Sequence, residues 1–219
     1  MNQKLGILGG TFNPVHYGHL AAAEEVRDRL RLDRVLFLPS FLPPHKHDEE
    51  IPSAVRRLEM VRLAVAGNPH FVVSDLEVKR GGLSYTIETV ESLLVKHPGA
   101  GLVFIIGLDS FLEIRTWKEW ERLLTLCAFA VLSRPGFRFA DLAALPFLEE
   151  HRMELERLDS RETERVSVEV NGAILSFENV PLYDISSTDI RSRVRQGRTI
   201  KYCLPEPVER YIIENELYV

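Results

Sequence analysis

The chain is poor in cysteine, in basic excess and in long apolar runs, and each shortage narrows its chemistry. Cys127 and Cys203 are its two cysteines, with no Cys-x-x-Cys pair and no Cys/His cluster around either. That spacing argues against a structural zinc site and reads as two buried or half-buried thiols in a reducing compartment. Lys and Arg number 27 against 32 Asp and Glu, a net charge of −5, so nucleic acid is not the expected partner. No apolar run approaches the length that spans a bilayer. The first strand pattern begins within four residues of the start, leaving no room for a signal peptide. A soluble cytoplasmic protein with no membrane partner is expected. Two familiar phosphate signatures are also missing: there is no Gly-Lys-Ser/Thr and no Gly-x-Gly-x-x-Gly, so neither the P-loop nor the dinucleotide fingerprint applies.

What is present is a regular alternation. Apolar runs at Leu5–Leu8, Arg34–Pro39, Phe71–Ser74, Leu102–Gly107, Cys127–Leu132 and Ala173–Phe177 read as strands. Between them fall helical patterns over Ala54–Ala66, Thr86–Lys96, Asp109–Ile114 and Trp117–Leu124, with Ser53 as the expected cap of the first. Strands alternating with helices imply an α/β fold with a mostly parallel sheet covered on both faces. Leu102–Gly107 is the most apolar run and is expected at the centre. The charged stretch from 137 to 170 is the least legible, with one helix expected between Ala140 and His151. Helices over Ser187–Gln196 and Glu206–Glu214 close the chain. The 219 residues allow one domain or two, and the short connections favour a single domain over 1–219, with 186–219 as its C-terminal helical part.

Organised around one stretch, the chain opens with strand, glycines and helix: Gly9-Gly10-Thr11-Phe12-Asn13-Pro14-Val15-His16-Tyr17-Gly18-His19-Leu20. Such a layout makes a phosphate site, because the first N–H groups of the helix point into the turn. Glycines let a ligand approach the backbone closely. His16 and His19 lie three apart and share a face of the first helical turn, with Gly18 leaving a gap between them.

A second motif, Ser186-Ser187-Thr188-Asp189-Ile190-Arg191, has the Ser186/Asp189 spacing of a capping box. It offers a helix start, hydroxyls and a guanidinium, a combination suited to polyphosphate or to an ordinary capped surface helix. Gly107-Leu108-Asp109-Ser110 ends the central strand, where ligands of open α/β sheets bind. Asp109 reads as a ribose ligand or as a helix cap. Trp117 suits a flat heterocycle or core packing, whereas Trp120 reads as core. His45 and Lys46, behind Pro43-Pro44, and Arg134 are candidate phosphate ligands, His45 and Lys46 being equally readable as a solvated loop. Arg193, Arg195, Arg198 and Lys201 read as a solvated basic face.

With its His16-Tyr17-Gly18-His19 segment the chain resembles the nucleotidyltransferase superfamily, whose His-x-Gly-His histidines act on a nucleoside triphosphate. The ordered set of motifs narrows that resemblance: Gly-Gly-Thr-Phe-Asn-Pro-Val-His-Tyr-Gly-His, Pro-Pro-His-Lys, Ser-Tyr-Thr, Ile-Ile-Gly-Leu-Asp-Ser, Thr-Trp-Lys-Glu-Trp, Arg-Pro-Gly, Ile-Ser-Ser-Thr-Asp-Ile-Arg and Leu-Pro-Glu-Pro-Val. Together they are similar to the bacterial nicotinate-nucleotide adenylyltransferases, from residue 4 to the end. The resemblance implies a Rossmann-like doubly wound fold. It also implies transfer of an adenylyl group from ATP to nicotinate mononucleotide, with Mg²⁺ carried on the phosphates rather than in a protein cage. By that resemblance His16, His19 and Arg191 are catalytic. ATP would lie on Gly9, Gly10, Thr11, Phe12, His16, His19, Ile106, Ser186, Ser187 and Arg191. The mononucleotide would lie on His45, Lys46, Ser84, Tyr85, Thr86, Gly107, Asp109, Trp117, Lys118 and Arg134. Asn13 departs from the family's usual Asp, and Lys118 from a common aromatic.

Other readings stay open at this level. Adenylyltransferases acting on the amide nucleotide or on phosphopantetheine share both phosphate motifs. A class I aminoacyl-tRNA synthetase would need a Lys-Met-Ser-Lys-Ser-like loop, which is absent, and a non-catalytic nucleotide sensor would not need both histidines and Arg191. Oligomeric state is left open, with a homodimer as the candidate assembly.

Overall fold

The computed structural model describes residues 3–42, 51–170 and 172–219. Its framework is one seven-stranded sheet: β1 (Lys4–Gly10), β2 (Arg34–Pro39), β3 (Phe71–Val73), β4 (Gly101–Gly107), β5 (Ala128–Leu132), β6 (Arg165–Val170) and β7 (Ala173–Glu178). They lie in the order β3-β2-β1-β4-β5-β7-β6. All neighbours pair in parallel except β6 with β7. β4 occupies the middle place, as its apolar sequence predicts.

Alternate residues of each strand feed two cores. Leu5, Ile7, Leu36, Leu38, Phe104, Ile106, Phe129 and Val131 belong to one. Val35, Phe37, Ile105, Ala130 and Leu132 belong to the other. Side chains on a strand point alternately to opposite faces, so covering both faces demands near-continuous apolar runs. The covers are α1 (Tyr17–Leu30), α2 (Ala54–Val65), α3 (Leu76–Arg80), α4 (Thr86–Lys96), α5 (Leu108–Leu112), α6 (Trp120–Leu126), α7 (Arg152–Asp159), α8 (Ser187–Arg195) and α9 (Glu206–Glu214). The Ser53 hydroxyl caps α2 as expected, accepting the Arg56 N–H at 3.3 Å.

Several sequence expectations are corrected. Gly9 and Gly10 are the last residues of β1, so the connection to α1 is made by Thr11–Val15. The helix expected from Trp117 starts at Trp120, because Ile114–Thr116 forms a 3₁₀ turn and Glu119 takes a left-handed conformation at φ 50°. Between Ala140 and His151 stand two 3₁₀ segments, Phe139–Ala144 and Pro146–His151, rather than one helix. Pro146 forces its predecessor out of the helical region, and Leu145 is extended. β6 lies inside the charged stretch: on an edge strand one face and one side meet water, so Arg165, Ser167 and Glu169 are tolerated there. The five-residue α3 was not apparent from the sequence pattern.

Candidate active site

β1 is flanked by β2 on one side and β4 on the other, so the connections leaving β1 and β4 diverge and open a crevice at their carboxyl ends. His16, Gly18 and His19 enter it from the start of α1, Ile106 and Gly107 from the end of β4, and Arg134 from beyond β5. Tyr183 and Ile185, from the segment joining β7 to α8, close its far wall.

The two histidines are held by each other. His16 is the extended N-cap of α1, and its backbone N–H donates to Nδ1 of His19 at 3.3 Å. An accepting Nδ1 carries no proton, so a neutral His19 has its N–H on Nε2, as a donor. Their ring centroids are 3.8 Å apart, and the Phe12 ring meets His19 edge-on at 5.2 Å. His16 is only 5% exposed. Its burial, and then the positive charge of Arg134, push its pKa down to about 4. Its Nδ1 is buried without a hydrogen-bond partner among the described residues, as is Oδ1 of Asn13. Such atoms cost free energy unless a ligand or solvent meets them. Gly18 eases this packing, because a Cβ there would stand 3.0 Å from Nδ1 of His16 and press on its ring.

The second motif meets the first across the sequence. Ser187 Oγ donates to the Pro14 carbonyl at 2.8 Å. Arg191 Nη1 donates to the Asn13 carbonyl at 2.9 Å, and its Nη2 lies 3.4 Å from Thr188 Oγ1. Ser186 caps α8, its hydroxyl accepting the Asp189 N–H at 3.0 Å. Only this half of the expected capping box forms, because the Asp189 carboxylate instead receives Arg193 Nε at 2.6 Å. Arg193 is therefore a paired, half-buried side chain, while Arg198 and Lys201 are exposed.

At the end of β4 the N-cap of α5 is Gly107, not Asp109. Asp109 is thereby free of the capping duty, and its Oδ1 lies 3.4 Å from Arg134 Nε. That oxygen is buried with no hydrogen bond among the described residues. A Cβ on Gly107 would fall 2.4 Å from it and 2.5 Å from Arg134 Nε, so a side chain at 107 would make the Asp109–Arg134 pair shift.

Further along the sheet edge, Tyr85 is the N-cap of α4 and Thr86 its first residue, as the sequence predicts. Ser84 joins this segment to the loop after β2: its Oγ accepts the Phe41 N–H and its N–H donates to the Leu42 carbonyl, both at 2.9 Å. Trp117 is half-buried and meets Phe104 edge-on at 6.1 Å. Trp120, read as core, is half-buried and stacks on Phe147 at 5.5 Å. Lys118 precedes α6 instead of lying in the first turn of a helix from Trp117. Its Nζ pairs with Glu88 at 2.7 Å and lies 4.6 Å from the centre of the Tyr85 ring. Gly9 and Gly10 approach Phe104 and Phe12, where added Cβ atoms would come within 3.6 and 3.4 Å. His45 and Lys46 lie outside the described residues.

Two residues of this region were not apparent from the sequence reading. Tyr183 sits in an exposed segment without a motif. Arg57 is buried and hydrogen-bonds the Thr11 carbonyl. Its signal was available, since it falls on the stripe of Ala54, Leu58 and Val61 that α2 buries. Among the described residues, no three His, Cys, Asp or Glu side chains group so as to hold a metal ion. No helix among them is long and apolar enough to cross a membrane.

Comparison with known proteins gives the family and the fold. The cytidylyltransferase-like family model matches residues 7–193. A relative from Geotalea daltonii, called a probable nicotinate-nucleotide adenylyltransferase, is 47% identical over 216 residues, covering 98% of each chain. One of the same name from Geobacter sulfurreducens is 48% identical over 217 residues, again with 98% of each chain covered. Among solved structures, the Plasmodium falciparum nicotinic acid mononucleotide adenylyltransferase in complex with NaAD superposes with a TM-score of 0.73. The match has 18% identity and covers 99% of this chain and 98% of that one, so it speaks to the fold. The chain belongs to the nicotinate-nucleotide adenylyltransferase family, within the cytidylyltransferase-like fold.

Proposed function

We propose that the chain transfers the adenylyl group of ATP to nicotinate mononucleotide, releasing pyrophosphate and forming deamido-NAD for NAD biosynthesis. The observation that carries this reading is the meeting of two distant helix starts: Ser187 and Arg191 bind the Pro14 and Asn13 carbonyls of the loop that delivers His16 and His19 to the β1/β4 crevice.

The reaction needs no protein nucleophile. A phosphate oxygen of the mononucleotide forms a bond to the α-phosphorus of ATP, the bond from that phosphorus to the bridging oxygen breaks, and pyrophosphate leaves with the electron pair. The chain then supplies alignment and charge stabilisation. In this proposal Gly9, Gly10, Thr11, Phe12, Ile106, Ser186 and Ser187 line the ATP site. The Nε2–H of His19 donates to a phosphate oxygen, His16 places a neutral imidazole beside it, and Arg191 stabilises the leaving pyrophosphate. Mg²⁺ arrives with ATP as part of the substrate, on the triphosphate oxygens.

Ser84, Tyr85, Thr86, Gly107, Asp109 and Trp117 form the acceptor side. The start of α4 offers N–H groups and a positive dipole end to the nicotinate carboxylate. Trp117 stacks on the ring, Asp109 takes ribose hydroxyls, and Arg134 serves the phosphate, with His45 and Lys46. Lys118 enters through its backbone N–H.

We read residues 1–219 as one domain, in which the helical part from 186 to 219 completes the ATP site through Ser187 and Arg191. A cytoplasmic setting fits consumption of ATP and two free cysteines. A homodimer is the assembly to look for by light scattering.

The test is pyrophosphate release from ATP with nicotinate mononucleotide and its amide in competition. The acid should win by at least about tenfold in kcat/KM, about 1.4 kcal/mol, because the amide's NH₂ cannot accept the N–H bonds that a carboxylate accepts. Equal use of both would refute the acceptor assignment. ATP binding without pyrophosphate release, whatever the acceptor, would make the chain a sensor.

A further inference from the structure

We infer that Arg57 is a positioning residue that holds the ATP side and the acceptor side of the crevice in register; the inference rests on the adenylyl-transfer reading above. Arg57 lies in the first turn of α2 and is 1% exposed. A charge buried that deeply persists only with acceptors around it. Its acceptors are three main-chain carbonyls: Thr11 from Nη1 at 2.7 Å, Phe41 from Nη2 at 2.9 Å and Pro52 from Nε at 3.1 Å.

The position of those carbonyls gives the arrangement its meaning. Thr11 is the first residue beyond β1 and opens the loop to His16. Phe41 lies just beyond β2, the neighbouring strand. One planar fork therefore spans the carboxyl ends of two adjacent strands. The Phe41 N–H then donates to Ser84 Oγ at 2.9 Å, and Ser84 precedes Tyr85 and Thr86 at the start of α4. Three hydrogen bonds lead from the ATP loop, through a single guanidinium, to the acceptor segment. Each half keeps its own ligand groups without Arg57. What depends on Arg57 is their relative placement, which in-line attack requires: a misplacement of about 1 Å can cost about a hundredfold in rate. Lysine retains the charge but lacks the planar fork, so it cannot hold the three carbonyls together.

The experiment compares Arg57→Lys and Arg57→Gln with the wild-type chain. Affinities for a non-hydrolysable ATP analogue and for nicotinate mononucleotide are measured separately by calorimetry, and the turnover rate with both substrates saturating. Both variants should lose about thirtyfold to a hundredfold of the saturated rate while each affinity stays within about threefold of wild type. A wild-type rate in Arg57→Lys would leave only the charge important and overturn the inference. So would a loss of both affinities with the saturated rate preserved. Should both variants unfold, Ser84→Ala removes the Phe41 N–H to Oγ bond of the link and leaves the buried cation, and the Ser84 N–H on the Leu42 carbonyl, in place. Its saturated rate should fall with ATP affinity unchanged, and an unchanged rate overturns the link. A wild-type chain that releases no pyrophosphate with this acceptor removes the reaction, and the inference with it.

Discussion

Arg191 and Asn13, 178 positions apart, are joined by a hydrogen bond of 2.9 Å from Nη1 to the Asn13 carbonyl. One guanidinium thus ties the second motif to the loop of the first. In the proposed reaction its remaining donors serve a phosphate, which would give the residue a part in both folding and reaction.

Arg191→Ala should lower turnover by about a hundredfold through weaker stabilisation of the leaving pyrophosphate, with little effect on binding of the mononucleotide. It should also cost about 1–2 kcal/mol of stability, because the Asn13 carbonyl loses a charged donor. Arg191→Lys should recover only part of each, since an ammonium cannot span both partners. Kinetics and denaturation of the same two proteins check this, and full recovery by Lys would reduce the residue to a point charge.

His19→Ala should lower turnover by two to three orders of magnitude, on the order of 3–4 kcal/mol of transition-state stabilisation. The fold should lose about 1 kcal/mol for the acceptor that the His16 N–H forfeits, and somewhat more for the ring contacts with His16 and Phe12. Near-normal turnover in a protein of unchanged melting temperature would remove His19 from the mechanism.

The pKa of His16 falls from 6.5 to about 4 on folding, with burial as the first cause and Arg134 as the second. Between those values the unfolded chain binds the proton that the folded chain refuses. The stability linked to His16 is therefore complete above pH 6.5 and is lost as pH falls toward about 4. The loss amounts to roughly 3 kcal/mol. Denaturation of wild type and His16→Gln from pH 7 to pH 4 should show a steeper decline in wild type by about that amount. Parallel curves would mean that the folded imidazole titrates normally.

Gly107→Ala introduces no backbone strain, since φ is −74° and ψ 149°. Its Cβ would nonetheless displace Asp109 Oδ1 and Arg134 Nε, which stand 2.4 and 2.5 Å away. The expected result is a protein that melts within a few degrees of wild type with kcat/KM reduced at least about tenfold. Gly67→Ala is the control, because among the described residues nothing beyond its chain neighbours lies within 4 Å of its added Cβ. Equal activity of the two variants would separate the Asp109–Arg134 pair from function.

Much of the fold follows from local chemistry. The apolar runs became strands because both faces of the sheet are covered, and the bounds of β2, α4 and α9 follow the sequence pattern residue for residue. Ser53 and Ser186 cap helices because a hydroxyl before an amphipathic stretch finds a free N–H three residues on. His16 and His19 were legible for the same reason: their relation is contained within one helical turn.

Tertiary structure decided everything that depends on distant partners. Asp109 reads as a cap in sequence, yet Gly107 takes that place and leaves the carboxylate to Arg134. Lys118 reads as a helix-start residue, yet the left-handed Glu119 delays the helix and Glu88 captures the ammonium. The charged β6 is a strand only because β7 offers it an edge. Arg57 is one charge in a helical pattern until Thr11 and Phe41 bring their carbonyls to it. Sequence by itself determined six of the seven strands, most of the helices and the two motifs at His16–His19 and Ser186–Arg191, because backbone preference and apolar period act within a few residues. Which distant residues meet was decided by the tertiary arrangement, because only the return of the chain from β7 to α8 beside the loop after β1 brings Arg191 within hydrogen-bond reach of the Asn13 carbonyl.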